Sequence, residues 1–172
     1  MPTRSSIAPL IADNIKKLRR NTGYSILCNS INRNQRRMAL KMAVSNIKAS
    51  FKSNIQKTWQ TVTSLEEYSW RSDLGKIEII NDKQFIEYTK QGYATTFTIT
   101  ATEPYKRWEF NMENENIKGH WSGIFTANGE QTEIDFTEDV IAKKIFMKPF
   151  VKFYLKKQQT QYISDLRKAL ES

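Results

Sequence analysis

Apolar and polar residues alternate along most of the chain between residues 46 and 142, and the pattern changes period after Pro149. From 149 to 170, Val151, Leu155, Gln158, Tyr162, Leu166 and Ala169 recur at steps of three and four. Tyr154, Ile163 and Leu170 widen that stripe, and Lys152, Lys156, Lys157, Asp165, Arg167 and Lys168 fall mostly on the other side. Pro149 suits the first turn of a helix, and neither Gly nor Pro interrupts the run after it. The spacing predicts an amphipathic helix over 149–170 that needs a concave apolar partner.

The alternating stretch supplies that partner. Residues 46–51 read as a first strand with Ile47, Ala49 and Phe51 on one face. Ser53 or Asn54 is placed to cap a helix carrying Ile55, Thr58, Trp59 and Val62, and Ser64 to begin a second short helix over 65–71. Six further strands are expected at 76–80, 84–89, 93–102, 105–112, 116–127 and 131–142. Between them lie Asn81-Asp82-Lys83, Lys90-Gln91-Gly92, Glu103-Pro104, Glu113-Asn114-Glu115 and Asn128-Gly129-Glu130, all turn-forming sequences. The expected fold class is α+β: a curved seven-stranded antiparallel sheet around a long C-terminal helix, with two short helices after strand 1.

Charge divides the chain at residue 41. The whole carries +9, but residues 1–41 hold nine basic side chains (Arg4, Lys16, Lys17, Arg19, Arg20, Arg33, Arg36, Arg37, Lys41) against Asp13 alone. That segment therefore accounts for +8 and residues 42–172 for +1. Bulk charge gives the second domain no reason to bind phosphate backbones, so no specific nucleic-acid partner is expected. Residues 1–41 read as a basic, poorly ordered N-terminal extension, either plain tail or upstream sequence before a start at Met42. Three functional readings compete there. Residues 11–20 with Gly23-Tyr24-Ser25 resemble the first helix and turn of Cro/repressor-type DNA-binding domains, but no recognition helix comes after them. The acid-poor, Arg- and Ser-bearing stretch would also serve as an organelle transit peptide, or as an amphipathic contact with an anionic membrane. Without such targeting, the expected compartment is the cytoplasm, which the lone cysteine fits.

Sharper chemistry is missing from the sequence. There is no GxGxxG, no phosphate-binding loop, no HExxH and no GxSxG. One cysteine (Cys28) and one histidine (His120) cannot build a conventional transition-metal site, and no cofactor is expected. No run is long and apolar enough for a membrane-spanning helix.

The element order, together with Ile55-x-x-x-Trp59-x-x-Val62, Leu65-Glu66-Glu67-Tyr68-x-Trp70, Gly119-x-Trp121-x-Gly123-x-Phe125 and Gly129-x-x-Thr132-x-Ile134, resembles the START-like, helix-grip (SRPBCC) superfamily. The likeness is strongest to its polyketide cyclase/dehydrase-type bacterial members. It covers residues 42–172 and leaves 1–41 outside. It implies a small hydrophobic ligand, lipid-like or polyketide-like, held between sheet and C-terminal helix.

Alternation names the lining expected for such a cavity: Phe85, Phe97, Ile99, Trp108, Phe110, Trp121, Phe125, Ile134 and Phe136 from strands. Trp70 joins them from the segment before the second strand, and Val151, Leu155, Gln158 and Tyr162 from the helix. The plain alternative is that these rings meet and fill the core. Glu87 and Glu138 share the inward face, so either would be an acid–base candidate if burial raised its pKa; a paired or solvated carboxylate would not. Gln158 is the candidate for orienting a ligand, with Tyr88 and Tyr154 behind it. His120 alternates with Trp121 and is expected to point outward. A binding module is the leading expectation. The rivals are a cofactor-independent cyclase or dehydratase using a buried carboxylate, and a tether acting through residues 1–41.

Overall fold

A computed structural model of the chain describes residues 42–143 and 148–171, the backbone alone at 148–150. The expectations for residues 1–41, and for Cys28 within them, lie outside the described residues. Seven strands form one antiparallel sheet: β1 (Met42–Phe51), β2 (Leu74–Asn81), β3 (Gln84–Thr89), β4 (Ala94–Glu103), β5 (Arg107–Glu113), β6 (Ile117–Asn128) and β7 (Gln131–Ala142). Helix α1 (Ile55–Thr63) comes after β1, and α2 (Lys148–Glu171) closes the chain. The strand order is β1-β7-β6-β5-β4-β3-β2, so the chain meanders from β2 to β7 and brings β1 back beside β7.

Local chemistry sets these limits. Asn54 caps α1, its Oδ1 accepting from the Lys57 N–H at 2.8 Å. The β6–β7 hairpin closes on Gly129-Glu130 between paired Asn128 and Gln131. Gly129, at φ 60°, occupies the position where a two-residue II′ loop needs glycine. Bulges interrupt the pairing between Leu74 and Lys76, Ile79 and Asn81, and Ile99 and Ala101, and such extra residues bend a sheet.

Two expectations are corrected. The first strand starts four residues earlier, at Met42, which brings Ser45 into the sheet opposite Glu138. The second short helix does not form; residues 64–73 are turns and bends. The Ser64 hydroxyl does accept from the Glu67 N–H at 2.9 Å, as a cap would. Beyond it, the segment is held by tertiary partners instead: Trp70 packs edge-on against Tyr162, and Asp165 binds Ser72.

The core lies on the concave face. Phe51, Phe85, Phe136, Leu155, Leu166 and Val140 are its largest fully buried apolar side chains. Helix α2 packs along β1 and β7 and against α1, at one side of the sheet rather than over its middle. Burying each such side chain contributes on the order of 1.5–3 kcal/mol.

Candidate functional site

The inward strand residues named from alternation all face the concave side. Phe85, Phe97, Trp108, Phe110, Phe125, Ile134 and Phe136 are buried, while Ile99, Trp121, Trp70 and Tyr162 are partly buried against them. Their rings run in unbroken contact across the sheet. Phe85 stacks on Phe97 (centroids 5.0 Å apart) and Phe110 on Trp121 (4.8 Å). Trp121 meets Phe136 at 4.8 Å, Phe136 meets Tyr162 at 6.2 Å, and Tyr162 meets Trp70 at 5.1 Å. Edge and offset contacts of this kind are favourable in themselves, so the ladder is a packed layer. Gly123 makes room for it, since a Cβ there would overlap the Trp121 indole.

This packing alters the expected cavity. One pocket, of about 450 Å³, lies where Lys52, Ser53, Asn54 and Lys57 meet Glu130, Gln131 and Leu170. Another, about 290 Å³, is a groove lined by Gln84, Thr96, Thr98, Asn111, Met112, Glu113 and Lys118. Neither lies between the ring layer and α2. Side chains expected to surround a ligand touch one another. Trp121 is the ring that the rest of the layer buries least completely at mid-sheet, and it sits directly opposite Glu138 in the β6–β7 register.

Polar groups on the concave side fall into two corners. In the first, beside β3, Arg71 is partly buried and ion-paired to Glu87 (2.5 Å). It also reaches both carboxylate oxygens of Asp73 (3.0 and 3.3 Å) and lies over the Tyr162 ring at 5.4 Å. Burial works against the guanidinium charge, but Glu87 and Asp73 outweigh it and hold Arg71 firmly protonated. Burial also pushes the Tyr162 phenol above the usual tyrosine range. Close by, Asp165 is 4% exposed. It accepts from the Ser72 N–H (2.9 Å), the Ser72 hydroxyl (2.5 Å) and Gln161 (3.0 Å). Burial would raise its pKa; those donors outweigh it and hold the carboxyl below its ordinary value.

The second corner lies between β7 and α2. Ser45 gives its hydroxyl proton to Gln159 Oε1 (2.7 Å), and Gln159 Nε2 donates to the Ser45 carbonyl (3.2 Å). Glu138 is directly opposite Ser45 and receives nothing from it. Among the described residues Glu138 has no hydrogen bond and no ion-pair partner. Burial, helped by the neighbouring Asp139 charge, pushes its carboxyl up to about 7. The Tyr154 phenol is raised by burial first and then by the charges of Glu138 and Asp73.

The sequence candidates therefore separate. Glu138 is partly buried and has no partner among the described residues, whereas Glu87 is committed to Arg71. Gln158 is displaced from its expected role: it is partly buried, and Gln159, one residue on, turns inward and is bonded. Val151 and Leu155 pack with Val140 and Ala142 in a smaller apolar cluster. Tyr88 points away from the core, with its hydroxyl on Glu78 (3.4 Å) and Lys76 over its ring. His120 faces outward as expected, its Nδ1 2.9 Å from Asn111 Oδ1. Ser45, Gln159 and Arg71 are members of the two corners that the sequence pattern does not single out. A serine on the inward face of an apolar strand is the one signal for Ser45, and it is hidden because clear alternation begins only at residue 46.

Structural comparison agrees with this architecture. A START superfamily protein from Mycobacterium smegmatis superposes with TM-score 0.69 over 74% of this chain and 97% of its own, at 13% identity. The Zhui aromatase/cyclase from Streptomyces sp. R1128 gives TM-score 0.68 over 76% of this chain and 94% of its own, at 8% identity. A conserved protein from Geobacillus kaustophilus gives 0.65 over 74% and 95%, at 13% identity. No protein-family model and no curated protein matches the sequence. The chain has the START-like helix-grip fold.

Proposed function

We propose that the chain binds a small, largely apolar molecule at the Trp121–Glu138 corner of the concave face. The ligand would stack on aromatic surface and take or give one hydrogen bond at Glu138. The observation that carries this reading is Glu138 itself. A carboxyl placed beside a ring layer, with no partner among the described residues, costs desolvation and returns nothing to the fold. Such a group is accounted for when a ligand completes its hydrogen bonding. The aromatic layer supplies apolar area, and displacement of the Trp121 or Tyr162 ring supplies room. Native mass spectrometry of the full chain purified from its own cells is the direct test. A co-purifying small molecule, retained by the parent and lost from Trp121→Ala, is expected; a bare chain whose tryptophan emission ignores added apolar compounds would overturn the proposal.

A second reading is favoured by one observation, the lift of Glu138 to about 7. A carboxyl titrating near neutrality can both donate and accept a proton, as a cyclase or dehydratase acting on a polyketide-like substrate requires. The resemblance in fold to an aromatase/cyclase is compatible with it, but a fold does not confer chemistry. Glu138→Gln separates the readings. Under catalysis it abolishes turnover while the ligand still binds; under binding alone it weakens retention and there is no turnover to lose.

A further inference from the structure

The first half of α2 carries a surface that the core does not use. From Val140 to Ser164 the sequence has no acidic residue, and it contains Lys143, Lys144, Lys148, Lys152, Lys156 and Lys157. Lys143 is engaged by Glu113 at 2.8 Å. Lys152, Lys156 and Lys157 are exposed and have no ion-pair partner among the described residues. Among them stand two aromatic side chains turned to solvent: Phe153 is 75% exposed and Tyr154 56%. At about 100° per residue, Phe153 lies opposite the stripe of Val151, Leu155, Gln159 and Leu166 that α2 buries. Lys156 and Lys157, three and four residues on, flank it on the same face. Among the described residues Phe153 belongs to neither core cluster.

We infer that this face of α2 docks on an anionic lipid bilayer, with Phe153 entering the headgroup boundary between Lys156 and Lys157, and Lys152 and Tyr154 at the two edges of the contact. Two features select this occupant. The uniform positive charge matches an anionic surface, and an exposed aromatic among lysines is the composition of an interfacial helix face. No described helix is long and apolar enough to cross a membrane, so the contact is peripheral. The inference goes beyond the ligand-binding proposal and stands whether or not that proposal does.

The test is flotation of the full chain with phosphatidylcholine vesicles, with and without about 30% phosphatidylserine, at about 0.1 M salt. The parent should float with the acidic vesicles and stay behind with the neutral ones. Lys152→Gln with Lys156→Gln and Lys157→Gln should lower the partition coefficient on the order of a hundredfold, and Phe153→Ser with Tyr154→Ser on the order of tenfold. Thermal melting should be unchanged in each. Because residues 1–41 are also basic, a site-specific probe is needed: a polarity-sensitive dye on Phe153→Cys in a Cys28→Ser background. Its emission should shift to the blue with acidic vesicles, and the same dye on Lys118→Cys should not respond. The inference is overturned if the parent fails to float, if both sets of variants float as the parent does, or if the Phe153 dye is silent. It is equally overturned if the parent self-associates without lipid and Phe153→Ser disperses it.

Discussion

Glu87 and Glu138 both enter the concave face, one beside each edge of the sheet, and their surroundings are opposite. Glu87 meets a partly buried guanidinium that also holds Asp73 and lies on Tyr162. Glu138 stands opposite Trp121 in the β6–β7 pairing, and the hydroxyl nearest to it in the register is given to Gln159 instead. The first corner is structural, because its charges are spent on joining residues 71–73 to β3 and α2. The second corner leaves a carboxyl unspent. A partly buried acid is thus to be judged by where its hydrogen bonds go, since burial class and face are shared by both.

The largest effect expected from breaking this contrast is at Arg71. Arg71→Ala would leave Glu87 and Asp73 without their cation and strip a stacked group from Tyr162. Removing one member of a buried ion pair costs about 3–5 kcal/mol. Chemical denaturation should show a loss of that size; a loss under about 1 kcal/mol would mean that the pair is solvated and that the two corners differ less than they look.

Glu138→Gln probes the other side. The Glu138 carboxyl has an ordinary value of 4.5 and is pushed up to about 7 in the folded chain. Between these values the folded state holds more protons than the unfolded one, so stability falls as pH rises through the window. The penalty is fully developed above about pH 7 and amounts to about 3 kcal/mol at about 1.4 kcal/mol per unit. Relative to the parent, Glu138→Gln should gain that much between pH 4 and pH 8 (about four units that span the window). A parent–variant difference independent of pH would show the carboxylate to be solvated, and would remove the basis of the ligand proposal.

Most of the fold is legible in the sequence because alternation is a local property. The turn and the pattern alone bound β7 at Gln131 and Ala142, and the inward rings come from counting by twos. The features that escape are settled by distant partners. Residues 65–71 have an acceptable helix pattern, but Trp70 finds Tyr162 and Arg71 finds Glu87, contacts that no local window contains. Gln158 and Gln159 differ by one step of about 100° on α2, and which of them turns inward depends on Ser45, more than a hundred residues away. Filling of the ring layer depends on the sheet's curvature, set by bulges that have no firm sequence signature. The site is therefore legible as a list of faces, but not as a set of pairings.

Gln159→Leu sharpens the contrast at lower energy. It removes the acceptor of the Ser45 hydroxyl and leaves that proton free to turn to Glu138 across the β1–β7 pair. A hydrogen bond to the charged form favours ionisation, so the Glu138 value should fall from about 7 by on the order of one unit. Carboxyl-selective NMR titration of the parent and the variant measures it. An unchanged value would mean that burial alone controls Glu138 and that the Ser45–Gln159 pair is not what leaves it unpartnered.

The smallest effect is expected along α2, where the same contrast between spent and unspent groups runs from one end of a helix to the other. In its second half, Leu166 and Leu170 are buried, Asp165 is fully bonded, and Arg167 pairs with Glu171 at 2.8 Å. In its first half, Phe153 is 75% exposed and has no place in the core clusters. Phe153→Ser should therefore change stability by no more than about 0.5 kcal/mol, the range of an exposed site. Leu166→Ala, at a position with 0% exposure, should cost about 2–5 kcal/mol. If Phe153→Ser proved comparably damaging, the ring would be packing against part of this chain, and a membrane would no longer be needed to explain why an aromatic stands on the outward face of α2.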